Sequence, residues 1–180
     1  MNILGISGSL RTHSYNTWLL KNTVGVLPEG VRLKIHAIDN IALFNEDLEN
    51  NKPEGVLSFI NAVAAADALL IATPEYNHSI PGCLKNAIDW ASRPGFQSPL
   101  KDKPCAIISA SQSPIGGARA QADLRNVLSS TISRIYPSIE YLLANAQEKF
   151  DTEGNLIDQT AQRRLSRYVT GFIDWTNLYN

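Results

Sequence analysis

Short apolar runs recur along this chain and predict strands. The runs 1–7, 67–73 and 104–109 are almost wholly apolar, which is typical of strands that are buried on both faces of a parallel sheet. The segment 31–38 alternates apolar with polar residues, and this pattern predicts a strand at an edge of the sheet. The fifth strand is expected at 138–143.

Segments with helical spacing lie between the predicted strands. They place helices at 14–27, at 54–66, from about 80 to 91 with Pro81 in the first turn, from the Gly116-Gly117 pair to about 135, and at 158–178. Strand and helix thus alternate through the chain, which predicts an α/β fold, a three-layer sandwich with one parallel sheet and helices on both faces. At 180 residues we expect a single domain spanning 1–180.

Charge and cysteine content narrow the classes of function. Sixteen basic and seventeen acidic residues leave a net charge of −1, which does not favour nucleic acid or an anionic membrane as a partner. The longest apolar run, 62–72, contains Asp67 and is too short to span a bilayer. Cys83 and Cys105 lack CxxC spacing, so we expect buried free thiols. With no room for a signal peptide before the first strand, a cytoplasmic location is expected.

The turn after the first strand has the composition of a phosphate site. Ser9, Ser14 and Asn16 provide side-chain donors, and Arg11 can donate to two oxygens of a phosphate group. The helix that follows adds free N–H groups and a positive dipole end. The loop lacks the lysine of a Walker motif and the third glycine of a dinucleotide fingerprint, so a single phosphate monoester suits it best. A purely structural alternative is a capped turn with Arg11 in solvent.

Two more polar loops follow buried strands, and all three should meet at one edge of the sheet. The loop 73–79 contains Pro74, Glu75, Tyr76 and Asn77, whose backbone N–H groups could reach the edge of a planar heterocycle. The loop 109–119 contains Ser111 and Gly116, and its glycine pair permits close approach of the backbone. Each loop alone could be an ordinary connection. Together they suit one ligand with a phosphate end and a flat aromatic end.

The sequence does not predict a metal site. His13, His36 and His78 are scattered along the chain, with no pair at helical spacing and no clustered carboxylates. The segment Asp151–Asn155 has its glycine at the wrong position for a calcium loop, so a surface turn is expected there.

The order of these motifs resembles that of the NADPH-dependent FMN reductase family, which includes chromate and quinone reductases and azoreductase-like flavoproteins. The resemblance rests on Gly8-Ser9-Leu10-Arg11 with Ser14 and Asn16, on the segment from Pro74 to Gly82 with Leu84–Trp90, and on Gly116–Arg119. It implies a flavodoxin-like fold with a five-stranded sheet of order 2-1-3-4-5, and it implies bound FMN.

The resemblance also implies roles for individual residues. Ser9, Arg11, Ser14 and Asn16 would hold the FMN phosphate. The segment from Pro74 through Glu75 and Tyr76 to Asn77 would line the isoalloxazine ring, with Ser111 and Gly116 nearby. The helix 80–91 would form a homodimer or homotetramer. No catalytic side chain is expected, because the flavin carries the chemistry.

Some positions depart from the pattern of the family. His13 and Tyr15 are bulkier than the residues usual in the first loop, and Pro114 precedes the glycine pair of the third. In chromate reductases an arginine and a glutamate pair across a tetramer interface, and Arg125 and Glu140 are the nearest matches.

The expected activity is therefore hydride transfer from NADPH or NADH, through FMN, to a quinone or similar small-molecule acceptor, with ping-pong kinetics. The sequence leaves two alternatives open. One is a non-enzymatic flavodoxin-like electron carrier or regulatory flavoprotein, although carriers are usually strongly acidic and this chain is near neutral. The other is a Rossmann domain with Asp39 as the ribose acid, which the missing third glycine disfavours.

Overall fold

The sheet of the computed structural model, which describes residues 1–178, has the predicted strand order. β1 (Asn2–Ser7) lies between β2 (Arg32–His36) and β3 (Ala68–Ala72), and β3 pairs with β4 (Pro104–Ala110). These pairings are all parallel. β1, β3 and β4 are buried, whereas β2 stands at an edge and is partly exposed, as its alternating pattern predicts.

The fifth position of the sheet is filled by two short segments, so the prediction of one strand at 138–143 was wrong in its bounds. β5 (Arg134–Ile135) and β6 (Tyr141–Leu143) both pair with β4 in parallel. Between them the Tyr168 hydroxyl donates to the Ile107 carbonyl at 2.7 Å, and the Ile107 N–H lies 3.2 Å from the same oxygen. A side chain thus satisfies the backbone groups that a continuous strand would have bonded.

Helices cover both faces of the sheet, which confirms the three-layer arrangement. Their bounds are Tyr15–Thr23 (α1), Glu54–Ala65 (α2), Gly82–Ala91 (α3), Ala118–Ser130 (α4) and Gln159–Asn177 (α5). α1 and α5 pack on one face around Leu20 and Phe172, and the other three helices pack on the opposite face around Phe59 and Leu84. No helix within 1–178 combines the length and the apolar character needed to cross a bilayer.

Three helix boundaries differ from those predicted. α1 stops at Thr23 and continues only as a 3₁₀ turn over Val24–Val26. Pro81 is the N-cap of α3 and not part of its first turn. α4 ends at Ser130 and does not reach 135, because Ile132 takes a left-handed conformation with φ of 61°. That conformation ends a helix and is usually supplied by glycine.

The predicted surface turn at 151–155 holds the start of α1 in place. The Asp151 carboxylate accepts hydrogen bonds from the N–H groups of Glu153 and Asn155. Gly154 has φ of +87° and lies against the ring of Trp18, where a Cβ atom would come within 2.7 Å of the indole. The turn therefore packs directly on the helix whose N-terminus lies at the edge of the sheet.

Both cysteines are free thiols, as predicted, but the expected burial holds only for Cys105. Cys105 is buried, and burial raises its pKa to about 12. Cys83 is half-buried, and burial raises its pKa as well. Both thiols are thereby kept protonated at neutral pH.

Candidate active site at the carboxyl edge of the sheet

The three predicted loops meet in one pocket. β1, β3 and β4 are parallel neighbours, so the loops that follow them leave the same edge of the sheet. A pocket of about 180 Å³ lies there. Its lining residues are Ser9, Arg11, Ser14, Tyr15 and Asn16 from the first loop, Pro74, Glu75 and Tyr76 from the second, and Ala110, Ser111 and Gln112 from the third. Of the predicted site residues, only Asn77 and Gly116 are absent from this lining.

Ser14 and Asn16 anchor the first loop. Ser14 is the N-cap of α1, and its hydroxyl accepts a hydrogen bond from the Thr17 N–H at 3.4 Å. Asn16 is buried, and its amide bonds both the N–H and the carbonyl of Ala110, each at 2.9 Å. The Asn16 side chain thus joins the first loop to the third, which leaves one Nδ2 hydrogen for a ligand.

Arg11 lies at the exposed side of the pocket. Its Nη2 donates to the His13 carbonyl at 2.8 Å, and its guanidinium carbon lies 5.8 Å from the centroid of the Tyr15 ring. The Tyr15 ring stacks on Phe150 with centroids 5.8 Å apart. The bulky Tyr15 therefore forms part of the wall on which the arginine rests.

The second loop is a rigid turn. Tyr76 and Ser79 exchange backbone hydrogen bonds, both 3.0 Å long. Asn77 and His78 between them have φ of 49° and 66°, the left-handed pair of a type I′ turn. This turn directs Asn77 away from the pocket lining. The Tyr76 side chain is about half exposed, and its hydroxyl lies 3.5 Å from the Ser9 hydroxyl.

Glu75 links the second loop to the third. Its carboxylate accepts from the backbone N–H of Arg119 at 3.0 Å and of Ala120 at 3.4 Å, and from Nη1 of Arg119 at 3.0 Å. It therefore caps α4, whose own N-cap, Gly117, has no side chain. Burial acts to raise the Glu75 pKa, but these hydrogen bonds and the Arg119 charge outweigh it and lower the pKa. The carboxylate stays ionised at neutral pH.

The glycine pair of the third loop is required by its packing. Gly116 and Gly117 have φ of +67° and +89°, and a Cβ on Gly117 would lie 2.9 Å from the Cβ of Ser109. The Ser109 hydroxyl donates to the Gly116 carbonyl at 2.6 Å and accepts from the buried Gln121 amide at 2.8 Å. Gly116 thus shapes the loop from behind and does not line the pocket.

The pocket also contains three residues that were not predicted from the sequence, Tyr15, Ala110 and Gln112. Gln112 Nε2 lies 3.5 Å from the Tyr15 hydroxyl, across the pocket. A signal for Gln112 was present, since it follows Ser111 at the carboxyl end of a buried strand. Ala110 takes part through its backbone N–H and carbonyl, which Asn16 bonds, and the residue type gives no sign of such a contact.

Two further expectations concern groups outside the pocket. Arg125 and Glu140 lie 3.7 Å apart within one chain, so they form an intramolecular ion pair here. Within residues 1–178, His, Cys, Asp and Glu side chains form no group of three or more that could hold a metal ion.

Comparison with known proteins identifies the family. The family model described as NADPH-dependent FMN reductase matches residues 1–148. The chain is 43% identical to an NAD(P)H-dependent FMN reductase of Pseudomonas aeruginosa over 97% of this chain and 95% of the relative. It is 35% identical to a 2-hydroxy-1,4-benzoquinone reductase of a Burkholderia species, over 97% and 96% of the two chains.

A solved structure gives the same result. The flavoenzyme NAD(P)H:(acceptor) oxidoreductase of Paracoccus denitrificans superposes with a TM-score of 0.90 at 35% identity, covering 98% of this chain and 97% of the other. The strand order and the three loops on one edge agree with this likeness. The chain belongs to the NADPH-dependent FMN reductase family.

Proposed function

We propose that this chain is an enzyme that uses bound FMN to pass hydride from NADPH or NADH to a quinone or similar small acceptor. This activity is supported by relatives that are named FMN reductases and quinone reductases, and the chain matches them over nearly their whole length. The observation that carries the proposal is the single pocket lined by all three edge loops.

The residues of the pocket fit the phosphate end of FMN. The first turn of α1 leaves the N–H groups of Tyr15 and Asn16 without a backbone partner in the part of the chain that the structure describes. The hydroxyls of Ser9 and Ser14 lie beside them, and Arg11 supplies a positive charge. These are the donors that a phosphate dianion requires.

The second loop fits the flat ring of FMN. Pro74 is buried and rigid, and Tyr76 offers a half-exposed aromatic face. The Tyr76 N–H bonds Ser79, so the N–H groups of Glu75 and Asn77 are those left for the polar edge of the ring. FMN, when bound, supplies a ring that accepts and releases hydride. The N–H groups of the loop would be placed to stabilise negative charge on that ring.

If the acceptor takes the place on the exposed ring face that the donor has left, the two bind in turn, and we expect ping-pong kinetics. The protein binds and orients each partner, and no side chain is assigned as acid or base. Cytoplasmic location stays a prediction.

Self-association through 80–91 also stays a prediction. The groove between α3 and α4 supports it: cavities of about 290 and 400 Å³ lie there, and both are lined by Lys85 and Val127. The strongly exposed Phe96 lies at one of them. We propose a second copy of the chain as the occupant. Sedimentation of Val127→Asp would give monomers if this groove is the interface, and an unchanged assembly would exclude it.

The proposed function is tested by the visible spectrum of the purified protein and by anaerobic titration with NADPH and NADH. We expect a flavin spectrum that bleaches on reduction, and steady NAD(P)H oxidation when a quinone is added. A non-enzymatic carrier would hold the flavin but show no steady turnover. A colourless protein that does not bind added FMN would refute both.

A further inference from the structure

A second, larger cleft lies away from the edge loops, between the segment after β5 and one face of α5. Its volume is about 450 Å³, which is within the range of small-molecule sites. Its lining residues are Tyr136, Ser138, Ile139, Glu140, Tyr141, Arg164, Arg167, Tyr168 and Gly171. None of them lines the FMN pocket.

The cleft exists because the fifth strand is interrupted. The Tyr136 N–H still bonds the Cys105 carbonyl of β4, but residues 137–140 leave the sheet, and Tyr168 takes over the hydrogen bonds of Ile107. Gly171 lets Tyr136 approach α5, since a Cβ there would lie 2.4 Å from the Tyr136 hydroxyl. The Tyr136 ring packs against Tyr168 with centroids 5.5 Å apart. These contacts make the walls a fixed part of the fold.

The inner walls carry three tyrosine rings, of which Tyr141 and Tyr168 are buried and Tyr136 is partly exposed. Tyr141 donates its hydroxyl to the Ala161 carbonyl at 3.1 Å, and Tyr168 donates to Ile107. Burial raises the pKa of both phenols, that of Tyr168 to about 12, so they stay protonated. At the mouth, Ile139 is 90% exposed, which leaves an apolar side chain for a ligand to cover.

The charged groups of the cleft favour an anion. Arg164 lies 5.3 Å from the centroid of the Tyr141 ring and donates to the Leu142 carbonyl at 3.3 Å. Arg167, one turn later, is exposed, and no hydrogen bond or ion pair joins it to another of residues 1–178. Glu140, the acid of the lining, is paired with Arg125. The cleft therefore has a positive charge and unused guanidinium donors beside flat apolar walls.

We propose that this cleft binds a planar aromatic anion, with its ring between the tyrosines and Ile139 and its acid group on Arg164 and Arg167. Arginine suits this role because its planar group both stacks on rings and donates two parallel hydrogen bonds to a carboxylate or sulfonate.

The test is calorimetric titration of the FMN-loaded protein with 2-naphthoate and with the uncharged 2-naphthamide. We expect the acid to bind and the amide to bind at least tenfold more weakly. Arg167→Ala and Arg164→Ala should each weaken the acid about tenfold or more, since each removes a charged hydrogen bond. Arg163→Ala, a change to a neighbouring exposed arginine outside the lining, should have no effect.

Three results would overturn the proposal. Equal affinity for acid and amide, or acid binding that is unchanged in both arginine variants, would place the naphthoate elsewhere, for example at the flavin. Failure of the acid to bind, together with dissociation of an assembly by Ile139→Asp, would show that a second copy covers the cleft. Arg167→Lys retains the positive charge and should bind with intermediate affinity. Circular dichroism and FMN content confirm that each variant is folded.

Discussion

Glu75 is predicted to stabilise the fold through its contacts with the start of α4. Glu75→Ala removes two hydrogen bonds from backbone N–H groups of α4 and one ion pair with Arg119. All three are made by a carboxylate whose side chain is only 11% exposed. A hydrogen bond to a charged group contributes roughly 1.5–3 kcal/mol. Because water replaces part of this set, we expect a loss of about 2 kcal/mol in the free energy of unfolding, and about 1 kcal/mol for Glu75→Gln, which retains an acceptor.

The contribution should depend on pH in one direction. The pKa of Glu75 is lowered below its ordinary value of 4.5, so the carboxylate stabilises the fold above that pH. The difference between wild type and Glu75→Gln should shrink as the pH falls below about 4.5. Urea unfolding of the apoprotein at several pH values measures it. Asp102→Asn is the control, since the Arg134–Asp102 pair is exposed and distant.

The charges of the Glu75–Arg119 ion pair should also change the midpoint potential of bound FMN. Glu75→Gln removes a negative charge at the pocket and should raise the midpoint potential of bound FMN, whereas Arg119→Gln should lower it. Shifts of opposite sign would show an effect of charge, and shifts of the same sign would show only loosened loops.

A loss below about 0.5 kcal/mol in the free energy of unfolding of Glu75→Ala would refute the stabilising role of Glu75 as the cap of α4.

Three other substitutions test the remaining contacts. Arg11→Ala should weaken FMN binding by about one to two orders of magnitude in calorimetry, with an unchanged melting temperature of the apoprotein, and an unchanged dissociation constant would place the phosphate elsewhere. Gly117→Ala should cost about 2 kcal/mol or more in urea unfolding, because its φ is +89° and the added Cβ meets Ser109; Gly25→Ala, which meets nothing within 4 Å, is the control. Tyr168→Phe should cost about 1–3 kcal/mol, since it leaves the Ile107 backbone unsatisfied, and a neutral result would contradict that role.

Much of the fold could be predicted from the sequence because the relevant signals are local. Uninterrupted apolar runs marked β3 and β4, and alternation marked β2 as an edge. The end of α4 was missed because Ile132, and not glycine, takes the left-handed position. A residue type without conformational preference for that region carries no stop signal.

The members of the site could be predicted from residue type and position, but their partners could not. Asn16 is expected to donate to phosphate, and the sequence did not indicate that its amide would also bond Ala110, 94 residues away. Glu75 lines the pocket as expected, and the sequence did not indicate that its carboxylate would also cap the helix after the third loop. Such contacts depend on the distance between loops in space, which hydrophobic periodicity does not specify.

The most direct test of the account is a crystal structure of the chain with bound FMN. We expect the phosphate within hydrogen-bond distance of Ser9, Ser14 and the first N–H groups of α1, with the ring against Pro74 and Tyr76. A phosphate bound anywhere other than the start of α1 would contradict it.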